Sequence, residues 1–300
     1  MVLPRWARAL VAVALLCSCG GCGSSASPDD ADDPGSSVRH HPRTSTSSLS
    51  FDPPPLPAVP AGTPPLRVLT FNINFGVGED PRNVAAVAEA DADLVLLQET
   101  TLASEQAFRQ VLADRYPHML FRECCNAGGL GVMSKYPIAE EQYLEPTVGW
   151  FPAWRVVIDA PLGPVQVLDV HLRPPMSDGG SWVAGYFSTR DVRRDEMAAF
   201  WVAMDPSMPT IVAGDFNEDA EGKAIAYLAE QGLHSALPQV APKAKTWRWP
   251  TRMGELRMML DHVVYGAGLQ LHAAEVMDRG TSDHQPVLVV LSAAEPVAAR

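Results

Sequence analysis

Short apolar runs rich in β-branched residues recur along the chain from residue 66 onward, and they limit the fold more than any other feature. Such runs predict strands, and several of the segments between them have the apolar spacing of helices. The predicted strands are 66–75, 94–97, 129–133, 155–158, 165–172, 210–213, 258–265 and 287–291. The predicted helices are 81–90 behind a possible Asp80 cap, 104–115, 186–204 and 221–230. The sequence therefore predicts a mixed α/β domain over residues 66–293, with a short tail over 294–300.

The first 22 residues have the order of an export signal, in which charged residues precede an apolar run and small residues follow it. The apolar run, 9–16, is much shorter than the roughly 20 residues of a membrane-spanning helix. The stretch from Leu16 to Cys19 resembles the lipobox of bacterial lipoproteins, which predicts lipidation at Cys19. Cys22 is the alternative, and cleavage by an ordinary signal peptidase is a third interpretation. We expect a membrane-anchored lipoprotein on the cell envelope, or a secreted protein.

Residues 23–65 are dominated by Ser, Pro, Asp and Thr, and they contain too few bulky apolar residues to form a core. This composition predicts a disordered tether. Its Pro-rich end, 52–65, should be stiffer and should hold the folded domain away from a membrane surface.

The folded part is strongly acidic. Residues 66–300 contain 19 Lys and Arg against 30 Asp and Glu, a net charge of −11 that accounts for nearly all of the chain's −12. Such a field repels nucleic acid at long range. It makes a nuclease less expected without excluding one, because bound cations and a local basic patch can outweigh it.

Only two cysteines, Cys124 and Cys125, lie in the folded part. Adjacent Cα atoms are about 3.8 Å apart across a trans peptide, below the usual range for disulfides. Two free thiols and a rare vicinal bridge therefore both remain open. Two adjacent thiols without a second pair make a poor zinc site.

Polar residues with catalytic potential occur at the ends of the early predicted strands. Asn72 shares a strand face with Asn74, and Glu99 follows a buried-looking strand as a possible oxygen ligand for a hard cation. Asp169 and His171 are two positions apart, so they share a strand face, where a carboxylate could orient an imidazole.

The later strands carry a second group of such residues. Asp215 and Asn217 project together after a short apolar strand that stops at a glycine. Asp261 and His262 lie on opposite faces of the strand predicted over 258–265, so only one can serve a given site, and Asp261 is the candidate. Asp283 and His284 lie in a loop before the last strand, where consecutive side chains can converge. A carboxylate beside an imidazole favours its charged form.

Taken in order, these motifs resemble the endonuclease/exonuclease/phosphatase superfamily over residues 67–291. The motifs are Phe71-Asn72-Ile73, Gln98-Glu99-Thr100, 131–137, Asp169-Val170-His171-Leu172, Gly214-Asp215-Phe216-Asn217, Leu260-Asp261-His262 and Ser282-Asp283-His284. The resemblance implies a four-layered α/β sandwich, two mixed sheets flanked by helices, with the site at one edge. It also implies water attack on a phosphoester with Mg²⁺, or Mn²⁺, as the cofactor.

The resemblance further implies roles for individual residues. Glu99 would be the principal metal ligand, with Asn72 and Asp283 nearby. Asp215 would orient or deprotonate the attacking water, and Asn217 would bind a phosphate oxygen.

The two histidines complete the implied site. Asp261 would hold and charge His284, and His171 would stabilise developing charge or protonate the leaving oxygen. Two residues before His171, where the family often has asparagine, this chain has Asp169. The role of Asp169 therefore stays open.

The substrate is not fixed by these motifs. The family includes deoxyribonucleases, abasic-site endonucleases, sphingomyelinases and inositol phosphatases, so a nuclease-like phosphodiesterase, a lipid-headgroup phosphodiesterase and a small phosphomonoesterase are all open. Cations and aromatics over 243–257 are typical of a strand-gripping surface, although Trp247 is the better candidate for core packing. A non-catalytic binding module is disfavoured, because every expected polar position is filled. We expect a monomer that is held at the membrane by its lipid anchor. The aromatic residues Trp150, Phe151, Trp154 and Trp182 lie in connecting segments that could pack over the site or, as the alternative, dip into the membrane.

We predict that Cys19→Ser releases a soluble enzyme that remains active, because tether and catalytic domain are independent. Fractionation and mass spectrometry of the mature N-terminus measure this, with Cys22→Ser as the matched control that stays membrane-bound. An unmodified N-terminus in the membrane-extracted protein would contradict the anchor.

Overall fold

The computed structural model describes residues 56–62, 64–176, 185, 188–251 and 254–294. The predicted export signal, Cys19 and most of the tether, residues 23–55 and 63, lie outside these residues. Within the described part of the chain, no helix is long and apolar enough to cross a membrane.

Two six-stranded mixed sheets form the centre of the fold. The strands are β1 Leu66–Asn72, β2 Leu94–Gln98, β3 His118–Arg122, β4 Leu130–Ser134, β5 Ile138–Leu144, β6 Ala153–Ala160, β7 Gly163–His171, β8 Thr210–Asp215, β9 His234–Ser235, β10 Trp247–Thr251, β11 Gly254–Met258, β12 Asp261–Tyr265, β13 Leu269–Val276 and β14 Val287–Ala293. The first sheet has the order β13-β14-β1-β2-β4-β3, and the second has the order β5-β6-β7-β8-β12-β9. Strands β10 and β11 form a separate two-stranded ribbon.

The helices are α1 Pro81–Ala90, α2 Leu102–Leu112, α3 Arg190–Trp201, α4 Lys223–Glu230 and the short α5 Ala236–Val240. Four helices, α1 to α4, cover the outer faces of the two sheets, whereas the short α5 packs into the cluster between them. Asp80 caps α1 by accepting a hydrogen bond from the backbone N–H of Arg82, as its position before the helix predicts.

Three apolar clusters hold these layers together because strand side chains alternate between the two faces of a sheet. Leu96 of β2 and Val167 of β7 belong to the cluster between the sheets. The cluster under α1 and α2 contains Val95, and the cluster under α3 and α4 contains Leu168. The predicted four-layered α/β sandwich is confirmed.

Strand register brings the polar strand ends to one edge. Strands β1 and β2 are parallel and pair Asn72 with Gln98, the residue before Glu99. Strands β7 and β8 are parallel and pair His171 with Asp215. Strand β12 runs antiparallel to β8 and begins at Asp261, opposite Asp215. Side chains from five strands therefore meet at the same edge.

Two predicted strand boundaries were wrong for local reasons. The strand predicted over 66–75 ends at Asn72, because Asn74 takes a φ of 58° and its N–H is bonded by the Asn72 side chain. The strand predicted over 258–265 is divided between β11 and β12. The Thr246 hydroxyl accepts hydrogen bonds from the backbone N–H groups of Leu260 and Asp261, which turns the chain there.

One polar contact crosses between the sheets beneath the site. The Gln98 amide donates to Asp169 Oδ1 at 2.7 Å, and both side chains are fully buried. Asp169 Oδ2 has no hydrogen-bond partner. Burial raises the pKa of Asp169 well above its usual value, against the opposing effect of the Gln98 hydrogen bond.

We predict that Asp169→Asn stabilises the fold at pH 8 by about 1 kcal/mol or more, because it removes the cost of burying a carboxylate. The folded state holds the Asp169 proton more tightly than the unfolded state does. The destabilisation from burying the carboxylate therefore appears above pH 3.8 and grows as the pH rises toward the folded pKa of Asp169. The advantage of the variant should therefore disappear near pH 4. Urea unfolding at both pH values measures it, with exposed Asp159→Asn as a control that changes stability by less than about 0.5 kcal/mol. A variant less stable than wild type at pH 8 would contradict this account.

Candidate active site

Glu99 lies directly after β2 with a left-handed φ of 62°, which turns its side chain into the edge where the strands end. Its carboxylate accepts hydrogen bonds from Asn72 Nδ2 at 3.0 Å and from the Phe75 backbone N–H at 3.1 Å. Burial raises the pKa of Glu99, while both hydrogen bonds lower it. The side chain keeps 15% exposure, so it remains reachable from solvent.

Asn72 connects the two sheets through its side-chain amide. Its Nδ2 donates to Glu99 Oε1 and to Asp215 Oδ2, both at 3.0 Å. Its Oδ1 accepts from the Asn74 backbone N–H at 3.0 Å. In this arrangement Asn72 bridges two carboxylates through nitrogen, and its role as a metal ligand stays a prediction.

Asp215 Oδ2 is the atom on which the site converges. Besides Asn72, it faces His171 Nε2 at 3.5 Å and His284 Nε2 at 3.6 Å. Its partner atom Oδ1 accepts the Asn217 backbone N–H at 2.8 Å. Burial raises the pKa of Asp215 to about 7, against the lowering effect of the His284 charge. An acid in this range can exchange protons near neutral pH.

Asp261 and His284 form a buried pair. His284 Nδ1 lies 2.9 Å from Asp261 Oδ2 and 3.1 Å from Oδ1. Burial alone would lower the pKa of His284, but the charges of Asp261 and Asp215 outweigh it and raise that pKa to about 10. His284 is therefore an imidazolium whose Nε2–H points toward Asp215.

His171 has a different environment. Its Nδ1 lies 3.0 Å from the carbonyl oxygen of Ala127, which fixes the proton on that nitrogen and leaves Nε2 facing Asp215 and, at 4.0 Å, Glu99. The Phe151 ring stacks on the imidazole with centroids 4.4 Å apart. Burial lowers the pKa of His171 to about 3, so the ring is neutral. The carboxylate two residues earlier does not orient this ring.

Asn217 and Asp283 lie on either side of this centre. The Asn217 residue has a φ of 52°, and its Nδ2 donates to the Leu172 carbonyl at 3.0 Å, which fastens the loop after β8 to the end of β7. Asp283 accepts from Asn74 Nδ2 at 2.8 Å and from Trp247 Nε1 at 2.9 Å.

All eight candidate site residues thus lie at one edge of the sheets, but the sequence did not indicate the three groups that hold Asp283 and His171. Asn74 was placed on the site face with no role, and Trp247, buried as expected, also donates to Asp283. The contact between the Ala127 carbonyl and His171 could not be predicted from the sequence, because every residue has a backbone carbonyl.

The charges of the site suit a divalent cation. Four carboxylates stand against one charged histidine, and carboxylate oxygens are the donors that Mg²⁺ prefers. Asp215, Asp261 and His284 also have possible ligand atoms within 4.8 Å of one another. The Glu99 side chain is partly exposed, whereas those of Asp215, Asp261 and His284 are buried, and the role of Glu99 as a metal ligand stays a prediction.

Solved structures with the same fold include three informative relatives. An endonuclease/exonuclease/phosphatase from Beutenbergia cavernae is 23% identical, with a TM-score of 0.58 over 79% of this chain and 74% of that chain. TDP2 from C. elegans is 14% identical, with a TM-score of 0.58 over 76% and 75%. A family protein from Leptotrichia buccalis is 15% identical, with a TM-score of 0.54 over 75% and 99%. At these identities the likeness establishes the fold.

A comparison with curated proteins found no match. The model of the Endonuclease/Exonuclease/phosphatase family matches residues 69–284, which include every candidate site residue described above. Members of this superfamily are generally phosphoester hydrolases. This chain belongs to the Endonuclease/Exonuclease/phosphatase family.

Proposed function

We propose that this chain is a metal-dependent phosphoric ester hydrolase that cleaves phosphodiesters with a positioned water, in the manner of a nuclease. The observation that carries the proposal is the convergence on Asp215 Oδ2 of an amide and two imidazoles from three other chain segments, within 3.0 to 3.6 Å. Phosphoryl transfer depends mainly on positioning and on positive charge around the phosphate oxygens.

Asp215, His284 and His171 each take one part in the reaction, as water-binding base, phosphate-binding cation and acid. Asp215, held by Asn72, orients the attacking water and takes its proton. His284, kept charged by Asp261, donates from Nε2 to a phosphate oxygen. His171 is neutral alone, but an anionic phosphate beside Nε2 favours the charged form, which then protonates the leaving oxygen.

The metal would be held by Glu99, with Asp283 and Asn72 as further ligands. Asp283 Oδ1 accepts a hydrogen bond from Asn74 and Asp283 Oδ2 accepts one from Trp247, which leaves each oxygen a lone pair for a cation. When bound, Mg²⁺ or Mn²⁺ supplies positive charge that stabilises the phosphate oxygens. The side-chain nitrogen of Asn217 donates to the Leu172 carbonyl, and its side-chain oxygen cannot donate to a phosphate. A hydrogen bond from Asn217 to the phosphate therefore requires the amide to turn.

A lipid-headgroup phosphodiesterase is the second candidate, and the apolar rim of the site favours it. Phe75, Trp150 and Trp249 are 41%, 38% and 50% exposed. Phe75 bonds Glu99 through its N–H, while Trp249 stacks on the Trp247 ring that holds Asp283. Exposed aromatics grouped round a site are typical of contact with an apolar surface. The net charge of −11 also weakens attraction to polyanionic nucleic acid.

We also propose that the enzyme is exported and that a lipid at Cys19 anchors it to the cell envelope as a monomer. The order of charged, apolar and small residues over 1–22 supports this proposal.

A substrate panel tests the proposed function. Purified full-length protein is assayed on plasmid DNA, RNA, sphingomyelin vesicles, inositol phosphates and a phosphomonoester, with Mg²⁺, with Mn²⁺ and with chelator. Cation-dependent turnover of a phosphoester supports the proposal. The substrate with the highest kcat/KM decides between a nuclease and a lipid-headgroup phosphodiesterase. Absence of turnover in every arm by folded protein would refute it.

We predict that Glu99→Gln lowers kcat/KM by about 100-fold or more at millimolar Mg²⁺, because it removes a charged ligand from a site with few others. The isosteric amide keeps the fold, which circular dichroism checks. Glu141→Gln, an exposed change on β5, is the matched control and should leave turnover unchanged. Near-normal turnover by Glu99→Gln at low Mg²⁺ would remove Glu99 from the proposed site.

A further inference from the structure

A disulfide between the adjacent residues Cys124 and Cys125 lies in the loop that joins β3 to β4. Both alternatives were open from the sequence, and the structure contains the vicinal bridge. Neither cysteine takes part in the proposed chemistry.

The loop over residues 123–129 contacts the ends of two of the strands that supply the site, β7 and β2. Ala127 offers its carbonyl oxygen to His171 Nδ1 at 3.0 Å. The Gly129 carbonyl accepts the Thr100 N–H at 3.0 Å, one residue after Glu99. Glu123 also bonds the Leu102 N–H. The loop therefore touches the backbone beside Glu99 and fixes the tautomer of His171.

The conformation of the loop depends on the bridge. Cys125 and Asn126 have left-handed φ values of 42° and 65°, which side chains rarely adopt. The Gly128 N–H closes the turn onto the Cys124 carbonyl at 3.0 Å. The small ring formed by two bonded adjacent cysteines holds the first of these residues in place, whereas two free thiols leave the chain free to relax toward ordinary φ values.

Packing transmits this conformation to His171 by a second route. A Cβ atom on Gly128 would lie 2.6 Å from Cys125 Sγ and 2.9 Å from the Phe151 ring, so bridge, glycine and ring are in close contact. Phe151 in turn stacks on His171. The imidazole is thus held at one edge by Ala127 and on one face by Phe151, and both contacts adjoin the disulfide.

We propose that Cys124–Cys125 is a redox site that positions His171, so that a dithiol reductant lowers the activity of the enzyme. The effect on activity rests on the proposed function, whereas the effect on the His171 tautomer does not. Cys124 and Cys125 are positioning residues, because they act on the reaction only through Ala127, Phe151 and His171.

The chemistry is ordinary thiol–disulfide exchange. A thiolate of the dithiol attacks the sulfur of Cys125, an exposed residue, the bond between the cysteine sulfurs breaks, and a mixed disulfide forms. The second thiol of the reductant then displaces Cys125. The protein gains two electrons and two protons as two thiols, and the reductant leaves as its own disulfide.

The test uses the full-length chain carrying Cys17→Ser, Cys19→Ser and Cys22→Ser, so that only the two loop cysteines remain. Mass spectrometry after alkylation should find no free thiol before dithiothreitol and two after it. Reduction should lower kcat at least about tenfold, since His171 acts as an acid worth about 10²- to 10⁴-fold, while KM changes little. Removal of the reductant and mild oxidation should restore kcat.

Histidine ¹⁵N spectra provide a readout that does not need turnover. In the oxidised protein His171 should give the signature of a proton fixed on Nδ1, and reduction should shift it toward a mixture of tautomers. His262, whose ring is held by Ser235 and the Glu218 carbonyl, is the internal control and should not change.

Cys124→Ser combined with Cys125→Ser should reproduce the reduced enzyme and should not respond to dithiothreitol. Two free thiols in the untreated protein, or an unchanged His171 signal and kcat after complete reduction, would overturn the proposal. If no substrate is turned over, the proposed function fails, and the His171 spectrum alone decides this inference.

Discussion

Glu99 and Asp215 come from different sheets and share a single amide, and the rest of the site depends on that contact. Asn72 donates to both carboxylates at 3.0 Å, while its own oxygen is held by the Asn74 N–H. The amide can reach both only because the ends of β1, β2 and β8 meet at one edge. Any shift of one sheet over the other would separate Glu99, the proposed metal ligand, from Asp215, the residue proposed to orient the attacking water.

The site buries two carboxylates close together, and the charge of His284 offsets part of the free-energy cost of burying them. Asp215 and Asp261 are buried beside each other, and the imidazolium of His284 lies between their oxygens. Burial raises the pKa of Asp215 to about 7, and His284 stays charged because both carboxylates face it. Such an arrangement costs stability in the free protein and is typical of functional sites. Bound cation and phosphate would supply the charges that complete it.

The apolar runs predicted a mixed α/β domain because buried strands leave clear local patterns, and the family resemblance supplied the sandwich. The candidate residues lie at one edge because the motifs that carry them stand at strand ends. The sequence did not predict β3, β5, β9, β10 or β13. In β5, an edge strand, the exposed Glu140 and Glu141 break the apolar pattern. Nor did the sequence indicate that Asp169 would bond Gln98 rather than His171, since strand spacing fixes a shared face but not which partner crosses from another sheet. The Ala127 carbonyl was unpredictable, because its place depends on a loop and a disulfide.

The central claim is that His171, Asp215 and His284, which come from three separate segments, act together on one phosphate. The most direct measurement is turnover of the three single alanine variants and of the triple variant, each checked for folding by circular dichroism. Each single change should cost about 10²- to 10⁴-fold, and the triple variant should be little worse than the worst single one, because groups acting on one transition state are not additive. Losses that multiply independently, or full rates from folded His171→Ala and His284→Ala, would contradict the account.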